Sequence, residues 1–405
     1  MIRFSLLFSL YSHFPIRDNL PNMHVAINGY FWNKINSGSG QYTRYLVYYL
    51  NRYVSDLTIS LIYPVQPDGV EPDKVPPSIN VIKVPIRGGN LGKVQFEQTI
   101  FPRECQKVGA DVAHVPYWGG PLQSPIPLVV TVHDLTTMLV PEYRRGMKAR
   151  LYNSLVAASA RGANHIITDS LASKQDIITH LQIPEEDITS IYLAAGPDFT
   201  EGDNSLLDMA VLRKYDLPDF YILYLGGYEL HKNVMTLLLA WSYVGQALGE
   251  DYPLVLAGKK PEEESEIYPD YDWYIKQLRI DEYVKWIGFV DEEDKPVLYR
   301  NAETFVFPSR NEGFGLPVLE ALSCGVPVVT TDASSLPEVV GDAGFTIDPD
   351  DARAMGGAII ATIMQENLAA DLRQKASRQA EKFSWQETAV QTALVYDKVA
   401  NKSKS

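Results

Sequence analysis

Two glutamates with seven residues between them, Glu312 and Glu320, flank a glycine-rich turn in the stretch Ser309 to Thr330, SRNEGFGLPVLEALSCGVPVVT. A carboxylate accepts from two neighbouring hydroxyls at once, so one of the pair can hold a sugar ring and the other a ribose, with a diphosphate between them. Gly313 and Gly315 allow a tight turn that presents its amides, and Pro317 suits the first helical position. The amides of Gly313, Phe314, Gly315 and Leu316 then form a helix mouth of the kind that binds phosphate. A plainer reading makes Glu312 a solvated loop residue and Glu320 a favourable charge near a helix N-terminus.

Other residues share this chemistry. Lys232 lies in GGYELHKNV, just ahead of the apolar helix pattern MTLLLAWSYV, where its ammonium would neutralise a departing diphosphate. A bare surface lysine at a helix start is disfavoured by the helix dipole. His133 and Asp134 end the buried-strand pattern LVVTVH, and the carboxyl ends of parallel strands face the ligand crevice. A glycine turn, SGSG, places Gly38 and Gly40 at another helix mouth without the dinucleotide spacing. Asp270 and Asp272 form a DxD of the kind that binds a divalent cation, but it lies in the polar insert KKPEEESEIYPDYDWY. Phosphate is better served by amides and Lys232, so no metal and no cofactor are expected. Cys105 and Cys324 lack metal-ligand spacing and suit a reducing cytoplasm.

The elements that must position these groups alternate strand and helix, the pattern of a parallel α/β sheet with helices on both faces. Strands are predicted at His24 to Asn28, Leu57 to Tyr63, Asn80 to Pro85, Asp111 to Pro116, Leu128 to His133, Ile166 to Ser170 and Ile188 to Tyr192. A helix is predicted from about Val94 to Val108. The pattern stops at AAGPDF, and residues 198–218 read as a hinge, polar to about Asp208. It resumes at Phe220 to Leu225, Pro253 to Ala257, Val284 to Phe289, Thr304 to Pro308 and Val326 to Thr331. This divides the chain into a first domain at 23–197, a second at 219–383, and a closing helix at 384–401. Residues 1–22 precede the first strand and read as a disordered extension or, preferably, a start assigned too early; MIRFSLLFSLYSHF resembles a signal peptide but lacks a small-residue cleavage site.

At 405 residues, 46% hydrophobic and 21% charged, the chain has the composition of a globular protein with two cores. Its net charge of −14 argues against nucleic acid as a partner. Residues 1–200 nearly balance acid and base, and residues 201–405 carry the acidic excess. No apolar run is long enough to span a membrane. PEYRRGMKARLYNSLVAASARGANH reads as a basic helix with Arg144, Arg145, Lys148, Arg150 and Arg161, either a solvated face or a contact for anionic lipid or a phosphorylated acceptor.

The string NEGFGLPVLEALSCGVPVV resembles the signature of retaining glycosyltransferases of family 4, a glutamate, seven residues and a second glutamate. VVTVHDL resembles the family's His-Asp motif, SGSG its N-terminal glycine loop, IITDS its acceptor-side loop, and FSWQETAVQTALVYDKV its last helix, anchored here by Trp385. The resemblance runs from Met23 to about Val399. It implies the GT-B fold, two Rossmann-like domains facing across a cleft, with the last helix crossing back to the first.

The resemblance also implies roles. Glu312 would hold sugar hydroxyls, Glu320 the ribose, and Lys232 with the Gly313 to Leu316 amides the diphosphate. His133 would meet the sugar's 6-hydroxyl or lie beside the anomeric carbon, with Asp134 orienting it or capping the next turn. Gly226 and Gly227 would line the donor site, Gly38 and Gly40 would approach the donor phosphate or the acceptor, and the backbone near Phe289 and Val290 would meet the base. Many members carry Gly-Arg where this chain has Gly226-Gly227, which shifts leaving-group stabilisation onto Lys232. The implied activity is metal-independent, retaining transfer of a hexose from a nucleotide-sugar co-substrate to a glycan or lipid-linked acceptor. GDP-mannose is the favoured donor, with UDP-glucose or UDP-GlcNAc next. A UDP-sugar epimerase and an inactive nucleotide-sugar sensor are the alternatives.

Overall fold

The computed structural model describes residues 22–202, 206–262 and 264–402, with the side chain of Lys148 left aside. The reading of residues 1–22 as an extension lies outside the described residues except for Asn22. Two parallel sheets organise the chain. The first has the order β3-β2-β1-β4-β5-β6-β7, built from β1 (Met23–Asn28), β2 (Leu57–Val65), β3 (Asn80–Pro85), β4 (Val112–Val115), β5 (Leu128–Thr131), β6 (His165–Thr168) and β7 (Ile188–Ser190). The second has the order β10-β9-β8-β11-β12-β13, from β8 (Ile222–Leu225), β9 (Leu254–Ala257), β10 (Val284–Gly288), β11 (Thr304–Phe307), β12 (Val328–Thr331) and β13 (Gly344–Ile347).

The central strands are mostly apolar because both faces are covered. Every residue of β5, β8, β9, β11 and β12 is buried. By its contacts the chain falls into two compact units. Of the described residues, one holds those up to Val115 together with Ser124–Val129 and 389–402; the other holds Pro116–Gln123 and those between Val130 and Thr388.

In the first unit the helix Gly38–Tyr53 is capped by Ser37, whose hydroxyl accepts from the Gly40 amide at 3.2 Å. Gly40 is required sterically, since a Cβ there would lie 2.0 Å from the Lys34 carbonyl oxygen. The C-terminal helix Trp385–Lys402 closes this unit, with the Tyr396 hydroxyl 2.6 Å from Nδ1 of His114 on β4, both groups buried. Trp385 is buried as the sequence suggests.

Several boundaries differ from the pattern. β5 stops at Thr131, so His133 lies in the loop beyond it rather than on the strand. The predicted helix at Val94 begins earlier, at Gly89, and continues through a wide turn at Phe96–Ile100 to Lys107. The basic segment is not one helix. Gly146, at φ 91°, separates a short turn, Pro141–Arg144, from the helix Met147–Arg161. Its charges are partly committed: Arg145 pairs with Glu266, and Arg161 Nε donates to the Leu181 carbonyl at 2.9 Å. No helix among the described residues is long and apolar enough to cross a membrane.

The polar stretch read as a hinge contains the helix Leu206–Lys214. Its Asp208 is 1% exposed and holds the Arg300 guanidinium through both oxygens, with Nε to Oδ2 at 2.7 Å. A carboxylate buried against a fixed cation anchors this helix where composition alone suggests a linker. Truncating one partner of such a pair strands the other charge. Asp208→Ala is therefore expected to cost about 3 kcal/mol, seen as a lowered midpoint in urea unfolding. A cost below about 0.5 kcal/mol would show that the pair behaves like an exposed one.

Candidate donor site

The site is assembled from loops that follow the carboxyl ends of β5, β8, β11 and β12, all in the second unit. The loop after β8 runs through a short turn, Leu230–Lys232, to Asn233, which takes the left-handed conformation at φ 58° and opens the helix Val234–Leu248. Asn233 is buried, and its Nδ2 donates to the Pro308 carbonyl at 3.1 Å and the Pro349 carbonyl at 2.8 Å. An asparagine tolerates that backbone and supplies two donors, so it ties the lysine loop to the loop after β11. The result is a direct contact between Lys232 Nζ and Glu312 Oε1 at 2.7 Å, both side chains largely buried.

The loop after β11 is held from the other side by the loop after β12. Ser334 Oγ donates to the Glu312 carbonyl at 2.7 Å, and Ser335 Oγ reaches the carbonyls of Glu312 and Phe314 at 2.9 and 2.8 Å. Gly315, at φ 107°, turns the chain into the helix Leu316–Ser323, with Pro317 in its first turn as predicted. Among the described residues no protein acceptor takes a hydrogen bond from the amides of Gly313, Phe314, Gly315 or Leu316. They are the unfilled donors that a helix start leaves over. The Phe314 side chain faces inward, with its ring centroid 5.7 Å from that of Phe383. Only its backbone serves the mouth.

Glu320 sits on the same helix but in a different environment. It is 5% exposed, and the Tyr299 hydroxyl donates to its Oε2 at 2.9 Å. Burial pushes its carboxyl up to about 7, against the pull of Lys295 and the tyrosine hydrogen bond. The two glutamates of the motif are thus chemically unequal: Glu312 faces an ammonium and Glu320 a phenol.

His133 is brought to this assembly by its own backbone. A Cβ on Gly313 would lie 2.4 Å from the His133 carbonyl oxygen, so only glycine permits the approach. Ser173, in the helix Leu171–Asp176, places its hydroxyl 3.0 Å from that carbonyl and 3.1 Å from the Gly313 carbonyl. The imidazole meets a residue the motif did not indicate: Nδ1 lies 2.7 Å from Oδ2 of Asp169, which is 2% exposed. Asp134 instead accepts the Thr136 amide at 2.7 Å, so of its two expected roles it fills the capping one.

The remaining expected residues divide. The Gly226 amide donates to the Ala257 carbonyl, and the Gly227 carbonyl accepts from the Tyr224 hydroxyl. Phe289 is half exposed and Val290 is buried just past β10. Gly38 and Gly40 belong to the first unit, and the Gly40 amide is already used by Ser37. Asp270 caps the helix Tyr271–Leu278 through the Trp273 amide, and Asp272 pairs with Lys260. His231, beside Lys232, is pushed down to about 4 by burial and the lysine charge, and it contacts the Tyr143 hydroxyl at 2.9 Å.

Sequence reasoning missed Glu338. Its carboxylate accepts from the amides of Leu171 and Ala172 at 2.9 and 2.8 Å and from the Tyr192 hydroxyl at 2.9 Å. Burial raises its pKa, opposed by these three donors. Nothing local in LPEVV marks it, since all three donors come from more than 140 residues earlier in the chain.

A family model described as Glycosyl transferases group 1 matches residues 213–382, and one described as Glycosyltransferase Family 4 matches residues 36–197. The chain is 36% identical over 270 residues to the O-antigen chain mannosyltransferase B of Escherichia coli, covering 66% of this chain and 69% of that protein. It is 33% identical over 267 residues to the serotype-specific mannosyltransferase WbdA of Escherichia coli, covering 64% of this chain but only 32% of that longer protein. With the phosphatidyl-myo-inositol mannosyltransferase of Mycolicibacterium smegmatis it shares 23% identity over 358 residues, 84% of this chain and 86% of that one. Among solved structures, sucrose-phosphate synthase from Thermosynechococcus elongatus matches with a TM-score of 0.75 at 20% identity, covering 95% of this chain and all of that one. WaaG, a glycosyltransferase involved in lipopolysaccharide biosynthesis, matches at 0.68 with 16% identity, covering 92% and 99%. These structures share the fold, two Rossmann-like parallel sheets with a closing helix, and the sequence matches extend the likeness to the elements that carry Glu312 and Glu320. The chain belongs to glycosyltransferase family 4, is built on the GT-B fold, and is a hexosyltransferase.

Proposed function

We propose that the enzyme transfers mannose from GDP-mannose to a glycan or lipid-linked acceptor with retention of anomeric configuration. The observation that carries this reading is the Lys232–Glu312 contact, together with four amides that find no protein acceptor among the described residues. Those groups suit a diphosphate on the cation and amides and a sugar on the carboxylate. The mannosyltransferase names of the relatives favour mannose.

Glu312 holds the lysine in this structure. An arriving diphosphate, with more charge and more acceptor oxygens, would take Lys232 over and release the Glu312 carboxylate to accept from sugar hydroxyls. Glu320, on the buried side of the helix, would accept from the ribose. No carboxylate stands out as a nucleophile for double displacement. The reading therefore uses front-face transfer, in which the leaving phosphate takes the acceptor's proton. Its direct test is product analysis by NMR with GDP-mannose and a mannose-terminated acceptor. An α-linked product supports retention; a β-linked product, or transfer from UDP-sugars alone, contradicts the proposal.

Lys232→Ala removes the cation without touching the fold's core. It is expected to lower kcat by about a hundredfold to a thousandfold, and to lower the unfolding midpoint as well, because Glu312 loses its partner. A loss confined to KM would assign the lysine to ground-state binding instead.

Glu320 gives a pH signature. The folded chain holds this proton more tightly than the unfolded one, so the stability it confers is complete below the ordinary carboxylate range and is lost as pH rises to about 7. Ribose hydroxyls that donate to the carboxylate favour its charged form. GDP binding near pH 6.5, as an order-of-magnitude setting, is thus expected to release a proton, measured by calorimetry in buffers of differing ionisation heat. Glu320→Gln abolishes the release. Proton uptake on binding would contradict the assignment.

A further inference from the structure

Both ring nitrogens of His133 face oxygen acceptors. Nδ1 lies 2.7 Å from the Asp169 carboxylate, and Nε2 lies 3.3 Å from the Pro116 carbonyl. A neutral imidazole carries one N–H and one lone pair, so a neutral ring here would set its lone pair against an acceptor. We propose that Asp169 is a positioning residue that holds His133 as a doubly protonated imidazolium, whose Nε2–H turns from the Pro116 carbonyl to donate to the transferring sugar, and not as a general base for the acceptor.

Three further observations agree. Oδ1 of Asp169 is buried with no hydrogen-bond partner among the described residues. A carboxylate so placed is costly unless a cation lies directly against its other oxygen. Burial by itself would lower the histidine pKa, but Asp169, and Asp134 more weakly, outweigh it and the value goes up. Two neighbouring elements meet the His133 backbone without bringing a charge to it. The loop after β11 meets it with the backbone of Gly313, and the helix Leu171–Asp176 meets it with the Ser173 hydroxyl.

The chemical consequence concerns who takes the acceptor's proton. A ring already carrying both protons has no lone pair to receive it, so the proton must leave by another route, such as the departing phosphate. This consequence rests on the transferase reading above; the protonation state itself does not.

Selective 15N labelling of the seven histidines, with His133 assigned by loss of its signal in His133→Gln, reads the protonation state in the intact chain. The expected result at pH 7.5 is protons on both His133 nitrogens, with one proton lost in Asp169→Asn. A single protonated nitrogen in the unmodified chain would overturn the proposal, whether or not the enzyme transfers sugar. In kinetics, kcat is expected to fall as pH rises through the same midpoint that NMR finds for His133. Asp169→Asn is expected to move both midpoints to lower pH together, lowering kcat at pH 7.5 by about a hundredfold with little change in KM. A kcat that rises through that midpoint would instead make His133 a base.

Discussion

The approach of the His133 carbonyl to Gly313 is the constraint on which the site depends. Where a side chain at position 313 would begin, a backbone oxygen already sits. The Ser173 hydroxyl spans the two carbonyls, and Ser335 holds the carbonyls on either side of Gly313. The helix Leu336–Val340 begins directly after Ser335, and its Glu338 grips the start of the helix that carries Ser173. The circuit closes on itself, so the amides of the helix mouth and the imidazole are positioned by one connected set of hydrogen bonds.

Within that frame three carboxylates do different work because their surroundings differ. Glu312 is paired with the Lys232 ammonium. Glu320 is buried against a phenol and holds its proton unusually high. Glu338 is buried too, but three donors satisfy it and it serves as a clamp. The fourth carboxylate, Asp169, is satisfied at one oxygen by the histidine it orients. Sequence spacing alone makes Glu312 and Glu320 look like equals; burial separates them.

Much of this was legible in the chain. Apolar runs such as LVVT and TFVF must be strands buried on both faces, and Gly-Phe-Gly-Leu-Pro can only be a turn entering a helix. The amides of the helix mouth come from adjacent residues, so local pattern was enough for them. Asp169, Ser173 and Glu338 were not legible, because each acts through a contact 36 or more residues away. Asp134 was the more obvious partner for His133, but a short side chain next in sequence is better placed to reach its own backbone two residues on. The helix Leu206–Lys214 was hidden for a related reason: Asp208 reads as polar linker until Arg300 is brought against it.

The central claim is that the loop Glu312 to Leu316 with Lys232 forms a nucleotide-diphosphate site. The most direct measurement is thermal unfolding with saturating GDP, GDP-mannose, UDP and UDP-glucose, with and without EDTA, on the unmodified chain and on Lys232→Ala. The account predicts a rise in Tm with the guanosine nucleotides, unchanged by EDTA and lost in the variant. A shift equally large in Lys232→Ala, or one abolished by EDTA, would contradict it and place the nucleotide elsewhere.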